Sequence, residues 1–317
     1  MLLILSLTAS AESLGWPRAR LAVHVTDEQG RAVPDAEVKI FFRQRFSDDN
    51  AWITGKTDSE GRFSGEGYSD MRLGGSVAKP GYYLAGLGWT IFKASSSGQW
   101  EPRDTVVEVV LRAVGKPVAL AAKRVQTEVP ALNQPCGYDL EKGDWVIPYG
   151  HGMHSDLIFV IQRDYKDWSN FEVNAKVTFS QPLDGLIRMH APAYAHNSAF
   201  SWEREAPEIG YLPSHSIHYR SLDLHTHVDR EMSFDTTHDR ESGYFFRVRS
   251  IEQNGRLTAA NFGKITGDIA IDPRDTKTCY ILFTYYVNLE SLDRNLEWDP
   301  KQNLLRGLTF LETPHDP

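Results

Sequence analysis

Apolar and polar residues alternate in short runs along this chain, the period-two signature of strands with one face toward a core. Ala36-Glu37-Val38-Lys39-Ile40-Phe41 and Thr105-Val106-Val107-Glu108-Val109-Val110 are two such runs in the first third. Three turn signals punctuate that region: Asp27-Glu28-Gln29-Gly30-Arg31-Ala32-Val33-Pro34, Thr57-Asp58-Ser59-Glu60-Gly61-Arg62-Phe63 and Lys79-Pro80-Gly81-Tyr82. Asp27 can bond its own downstream backbone, and Gly30 can take the left-handed conformation that closes a hairpin. Asp58 and Gly61 repeat the device. Pro80 presets φ at the first central turn position and Gly81 supplies positive φ at the second. Pro34, without an N–H for a ladder, belongs at an edge or a strand start. This grammar predicts a small antiparallel β-sandwich.

Beyond Lys116-Pro117-Val118, and after irregular chain from Thr127 to Gly137 with Pro130 and Pro135, the strand pattern resumes. Leu157-Ile158-Phe159-Val160-Ile161 reads as a strand buried on both faces, and residues 171–179 alternate cleanly. Tyr244 to Arg249 is an aromatic strand, and Asn254-Gly255 supplies a hairpin turn. Residues 267–271 and 280–287 complete the set, with no amphipathic helix between them. The expected fold is all-β: an N-terminal Ig-like β-sandwich over 14–115, then a larger jelly-roll-like or Ig-like domain over 116–317.

The spacing of Thr57-Asp58, Gly61, Phe63 and Gly81-Tyr82 resembles the carboxypeptidase regulatory-like domain, over roughly residues 18–113. That resemblance implies a transthyretin-like sandwich with an accessory, supporting or binding role, and carries no catalytic residues. With the tail segments Gly263–Gly267 and Asn295–Asp299, the whole chain resembles exported bacterial proteins that carry this domain. The Tyr244–Ala259 hairpin locally resembles late fibronectin type III strands, which shared sandwich physics explains.

Residues 1–13 read as a secretory signal, because the apolar Met1–Leu7 run leads to Ala9-Ser10-Ala11, a small-x-small cleavage pattern. A mature chain would start near Glu12, outside the cytoplasm; the alternative is a buried first strand. The chain has 317 residues, enough for two domains. A net charge of −8 and no Lys/Arg run argue against a nucleic-acid partner. No stretch reaches the length of a transmembrane segment. The two cysteines, Cys136 and Cys279, allow one disulfide or two separate buried thiols.

Candidate chemistry is confined to the second region. On a strand, Asp223, His225, His227 and Asp229 share one face, so the two imidazoles could chelate a metal and Asp223 could join or orient them. A polar strand face meeting water produces the same alternation. His151 and His154, in Gly150-His151-Gly152-Met153-His154-Ser155-Asp156, could add a third ligand or simply tip a loop. Trp145, Tyr149, Trp168, Trp202, Tyr211 and Tyr219 could stack sugar rings, or pack a core. Acidic residues at Asp48-Asp49 and Asp58-x-Glu60 fit turn chemistry better than a calcium loop. Nucleophile-elbow, Walker and dinucleotide motifs are missing. The resulting expectation is an exported, non-enzymatic binding or surface-associated protein with a glycan or envelope-protein ligand. The alternatives are a metal-dependent enzyme at His225 and His227, or a structural subunit using its aromatics at an oligomer interface. The sequence specifies neither a cofactor nor an oligomeric state.

Overall fold

The computed structural model describes residues 18–42, 51–68, 72–88, 90–91, 93–94, 100–101, 105–167, 170–195, 197–221, 242–273 and 277–314. The chain divides into two compact units, Met1–Val114 with Asn197–Ala199, and Gly115–His196 with Phe200–Pro317. Regular structure among the described residues is strand, apart from two short 3-10 turns at Ala193–Ala195 and Pro300–Gln302. Among the described residues, no helix is long and apolar enough to cross a membrane. The protein is all-β.

In the first unit the strands are β1 (Arg18–Asp27), β2 (Glu37–Phe42), β3 (Ala51–Lys56), β4 (Arg62–Tyr68), β5 (Arg72–Ala78), β6 (Ala85–Gly86), β7 (Thr90–Ile91), β8 (Lys93–Ala94), β9 (Trp100–Glu101) and β10 (Thr105–Leu111). One sheet has the order β10-β1-β4 and the other β3-β2-β5-β6, with β7 also on β5. Inward residues of both, among them Leu21, Val23, Val38, Ile40, Val77 and Leu111, form one apolar core. Each turn closes as its chemistry requires. Asp27 Oδ1 accepts the Gln29 and Arg31 amides at 2.9 and 3.0 Å, and Asp58 Oδ1 accepts those of Glu60 and Arg62 at 2.9 and 2.8 Å. Gly30 and Gly61 sit at φ +75° and +74°. The first of these turns closes on β1, through the Thr26–Ala32 bridge, while the second carries the chain from one sheet to the other. The sandwich is not wholly antiparallel, because β1 pairs with β10 in parallel, Leu21 opposite Thr105. All the intervening strands serve as the crossover that a parallel pair needs.

The second unit holds β11 (Ala121–Glu128), β12 (Cys136–Asp139), β13 (Asp144–Trp145), β14 (Leu157–Asp167), β15 (Asn170–Thr178), β16 (Gly185–His190), β17 (Ser214–Ser221), β18 (Ser242–Gln253), β19 (Arg256–Asp272) and β20 (Tyr280–Asn288). Its two five-stranded sheets have the orders β11-β20-β19-β18-β16 and β13-β12-β14-β15-β17. Their inner faces share a core in which Tyr138 meets Trp145 and Phe283 edge-on at 5.3 and 5.7 Å. Cys136 and Cys279 are free thiols buried in that core, so the second of the two sequence alternatives holds. The strand expected to be buried on both faces is not: Ile158 and Val160 are half-buried between buried Leu157, Phe159 and Ile161. The outer edge of β11 is covered. Asn303 both donates to and accepts from the Ala122 backbone, the Leu304 amide donates to the Leu120 carbonyl, and the Arg124 amide donates to the Glu312 carbonyl. Such cover removes an open edge that could pair with another chain.

Two outcomes follow for stability. Thr57 Oγ1 accepts the Ala36 amide at 2.9 Å and donates to the Val33 carbonyl at 2.7 Å, all buried. Thr57→Val strands both groups and is expected to cost about 2 kcal/mol in the denaturant transition of the first unit. Glu312 is held down to about 2, from 4.5, first by the Thr309 amide and then by Lys123 and the Thr309 hydroxyl. A depressed carboxylate adds stability above its unfolded value and loses it as pH falls toward the folded one. Glu312→Gln should therefore flatten the loss of melting temperature between pH 4.5 and about 2, with its largest destabilisation at neutral pH.

Candidate functional site

The second unit contains an open cleft of about 520 Å³. Three segments wall it: His154–Asp156 ahead of β14, Ser180–Asp184 between β15 and β16, and Arg249–Glu252 in β18. Its floor is built around a bulge. Register along β18 and β19 shifts between Val248 and Ile251, which releases two consecutive amides from the ladder. Asp184 captures both, accepting from Arg249 N at 3.1 Å and from Ser250 N at 2.9 Å. Arg249 consequently sits at φ +57°, a conformation that costs a non-glycine residue on the order of 1 kcal/mol.

The bulge turns the Arg249 side chain into a set of carboxylates. Nε and Nη2 grip Asp156 at 2.8 and 2.9 Å, Nη2 also reaches Asp139 at 3.0 Å, and Nη1 donates to Glu141. Asp139 in turn accepts the amides of Glu141, Lys142, Met153 and His154. It thereby fixes the end of the His151-to-His154 loop against β12. Arg247 braces the opposite wall, donating from Nε to the Leu183 carbonyl at 2.8 Å.

Burial and bonding divide the acids. Burial alone would push Asp139 up, but the Met153, His154 and Lys142 amides and Arg249 hold it below the usual carboxylate range. Glu141 lies low because of its bond to Arg249. Asp156 and Asp184 lie above the usual range because burial outweighs their donors. Burial opposes the charge on Arg249, yet Asp156, Glu141 and Asp139 keep its pKa above the ordinary value.

The candidate residues read from sequence fall in three places. His154 lines the cleft. His151 lies outside it, almost fully exposed, with Nδ1 2.9 Å from Asp144 Oδ2. Asp223, His225 and His227 lie outside the described residues, as do Asp48, Asp49 and Trp168. Among the described residues, no group of three or more His, Cys, Asp or Glu is placed to hold a metal ion. Trp145 and Trp202 are buried core residues, and Tyr211 donates to the Pro207 carbonyl, leaving Tyr149 as the exposed aromatic of that set among described side chains. Among the described residues that line the cleft there is no Phe, Tyr or Trp. Ser155, Ser180 and Ser250 lie in it, and the Ser180 hydroxyl donates to the Ser155 carbonyl. Arg249, Asp184 and Ser250 were not singled out from sequence; the signal for them was an arginine at the end of an aromatic strand, just before Asn254-Gly255.

No protein-family model matches the chain, and neither does any curated protein. Among solved structures it is similar to a 3-chlorocatechol 1,2-dioxygenase from Rhodococcus opacus, at 13% identity and TM-score 0.24 over 31% of this chain. The match spans 60% of the dioxygenase's length. The shaft pilin SpaA from Lactobacillus rhamnosus GG gives 11% identity and TM-score 0.22, covering 54% of this chain and 90% of the pilin. A DUF3823 family protein from Parabacteroides merdae gives 10% and 0.21, covering 78% of this chain and 96% of that protein. Likenesses at this level carry no argument about function.

Arg249→Met leaves buried Asp156 without its counter-charge and should destabilise the second unit by about 3 kcal/mol at pH 7, the low end for a broken buried pair because Arg249 keeps some water contact. Asp156 already titrates above 3.8, and losing the arginine raises it further. A raised carboxylate adds stability below its unfolded value and loses it as pH rises, so the deficit should shrink toward pH 4. Denaturant melts of both proteins across that range provide the check.

Proposed function

We propose that this chain is an exported, surface-associated β-sandwich protein that binds a macromolecule without transforming it, using the cleft of its second unit. The first unit, with its regulatory-like turn grammar, serves as an accessory sandwich. The observation that carries this reading is the preformed cleft, within the size range of ligand sites and with its polar groups held by a hydrogen-bonded network. Of the two ligand classes expected from sequence, an envelope protein fits better than a glycan. Sugar sites stack rings on exposed aromatics, whereas Trp145 and Trp202 are buried and the described cleft lining has no Phe, Tyr or Trp.

Expressed in a bacterial host with its own N-terminus, the protein should leave the cytoplasm and start near Glu12 by mass; a full-length cytoplasmic product would contradict export. Immobilised protein should bind solubilised envelope proteins saturably, and Gln181→Trp, which fills the cleft from an exposed rim position, should abolish that binding. An undiminished response from Gln181→Trp would move the site elsewhere. Saturable binding of polysaccharides alone would reinstate the glycan.

A further inference from the structure

We infer that His215 is an acid-sensitive clasp on the 180–184 wall of the cleft, closed at neutral pH and loosened when the imidazole takes up a proton; its bearing on a ligand rests on the cleft being the binding site. That wall connects β15 to β16, and one short segment holds both of its ends. Ahead of it, Thr178 at the end of β15 pairs with Ser214 at the start of β17, and Val177 pairs with His215. Behind it, the Leu186 and Leu212 backbones exchange two hydrogen bonds, at 3.0 and 2.9 Å. Gly185 permits that approach, since a Cβ there would lie 2.4 Å from the Leu212 carbonyl oxygen. Residues 212–215 therefore span the two ends of the wall. Among the described residues β17 is an edge strand, paired with β15 on one side, and such edges open at lower cost than inner strands.

A hydrogen-bonded relay ties His215 to the opposite sheet. The Tyr244 hydroxyl, on β18, donates to Asp268 Oδ1 at 2.9 Å, and its oxygen lies 3.2 Å from His215 Nε2. A second bulge presents Asp268: register along β19 and β20 shifts between Thr266 and Ala270, around Gly267 at φ +79°. The single phenol proton goes to the carboxylate, so Nε2 carries the proton of the histidine–tyrosine bond. Nδ1 is then the bare nitrogen of the neutral ring and the one that accepts a second proton. The ring also packs on Tyr244, with centroids 5.0 Å apart and planes tilted by 57°.

The groups around the ring set the sign of the response. Among the described residues, Asp268 on β19 favours the imidazolium and Arg188 on β16 opposes it, while Val177 on β15 and Ile217 on β17 bring no charge. The guanidinium is placed by its bond to Ser242 Oγ, at 3.3 Å. Burial first, and Arg188 second, outweigh Asp268 and hold the imidazole below its ordinary value of 6.5. The unfolded chain thus takes up this proton before the folded one does. The stability His215 carries is complete above 6.5 and is lost as pH falls through the folded value. Once charged, the ring gains by moving toward water and away from Arg188. That movement pulls on the Ser214–Thr178 pairing, and so on the end of the wall.

The test is hydrogen–deuterium exchange of the full chain at about pH 7.5 and about pH 5.5, with labelling times scaled for the intrinsic pH dependence of exchange. Peptides covering 178–186 and 212–217 should exchange about threefold faster or more at the lower pH, while those from β14 and β20 keep their protection. His215→Gln, whose amide can donate to the Tyr244 oxygen without titrating, should remove the acceleration and keep the protection seen at neutral pH. A ring titration by NMR supplies a readout on the unaltered protein: the His215 midpoint should lie below 6.5, and Arg188→Gln, at an exposed position, should raise it. A midpoint at or above 6.5, no acceleration in the unaltered protein, or acceleration that persists in His215→Gln would overturn the inference. Persistence would assign the response to another group, such as His154 in the cleft lining. Gln181→Trp separates the two readings. If it leaves envelope-protein binding undiminished while His215→Gln still abolishes the acid response, the cleft falls as the site and the clasp stands. If it blocks binding while the acid response survives His215→Gln, the cleft stands and the clasp falls.

Discussion

One guanidinium organises the second unit. Arg249 stands on β18, in one sheet, while Asp139, Glu141 and Asp156 belong to the end of β12, the turn after it and the entry to β14, in the other. Its ion pairs therefore cross the sandwich at one end, and the cleft lies where they cross. A packed apolar core would hold the sheets together without this network. What the network adds is position: it fixes the ends of three loops that hydrophobic contact leaves free.

The arrangement works against local cost. A non-glycine residue in the left-handed region, buried Asp156 and buried Asp184 are each unfavourable taken singly. They persist because each meets the other's need. The bulge frees two amides, Asp184 binds them, and the resulting backbone turns Arg249 toward Asp156 and Asp139. Removing one member leaves a buried group stranded, which makes the cleft floor a cooperative unit rather than a sum of pairs. The same saturation leaves the floor charged but unable to offer a donor to an anion.

The turns of the first unit were legible because each is local: Asp27, Gly30, Asp58, Gly61, Pro80 and Gly81 act within a few residues of their own chain. β11 was hidden for the opposite reason. Ala-Ala-Lys-Arg-Val-Gln-Thr-Glu alternates poorly, and its strand character depends on β20 on one side and the 303–312 segment on the other. The parallel pairing of β1 with β10 is likewise a property of the closed sandwich. Least visible was the cleft, since Arg249 meets its carboxylates across 93 to 110 residues of sequence. Simple alternation would place its side chain with that of Arg247, and only the bulge redirects it.

The central claim is that Arg249 and the carboxylates of the facing sheet form one coupled unit shaping the cleft. A double-mutant cycle on unfolding free energy, with Arg249→Gln, Asp156→Asn and the pair together, measures that coupling most directly. The expected interaction energy is about 1.5 kcal/mol or more, with the double variant closer to either single variant than to their sum. Additive losses, with coupling near zero, would contradict the account.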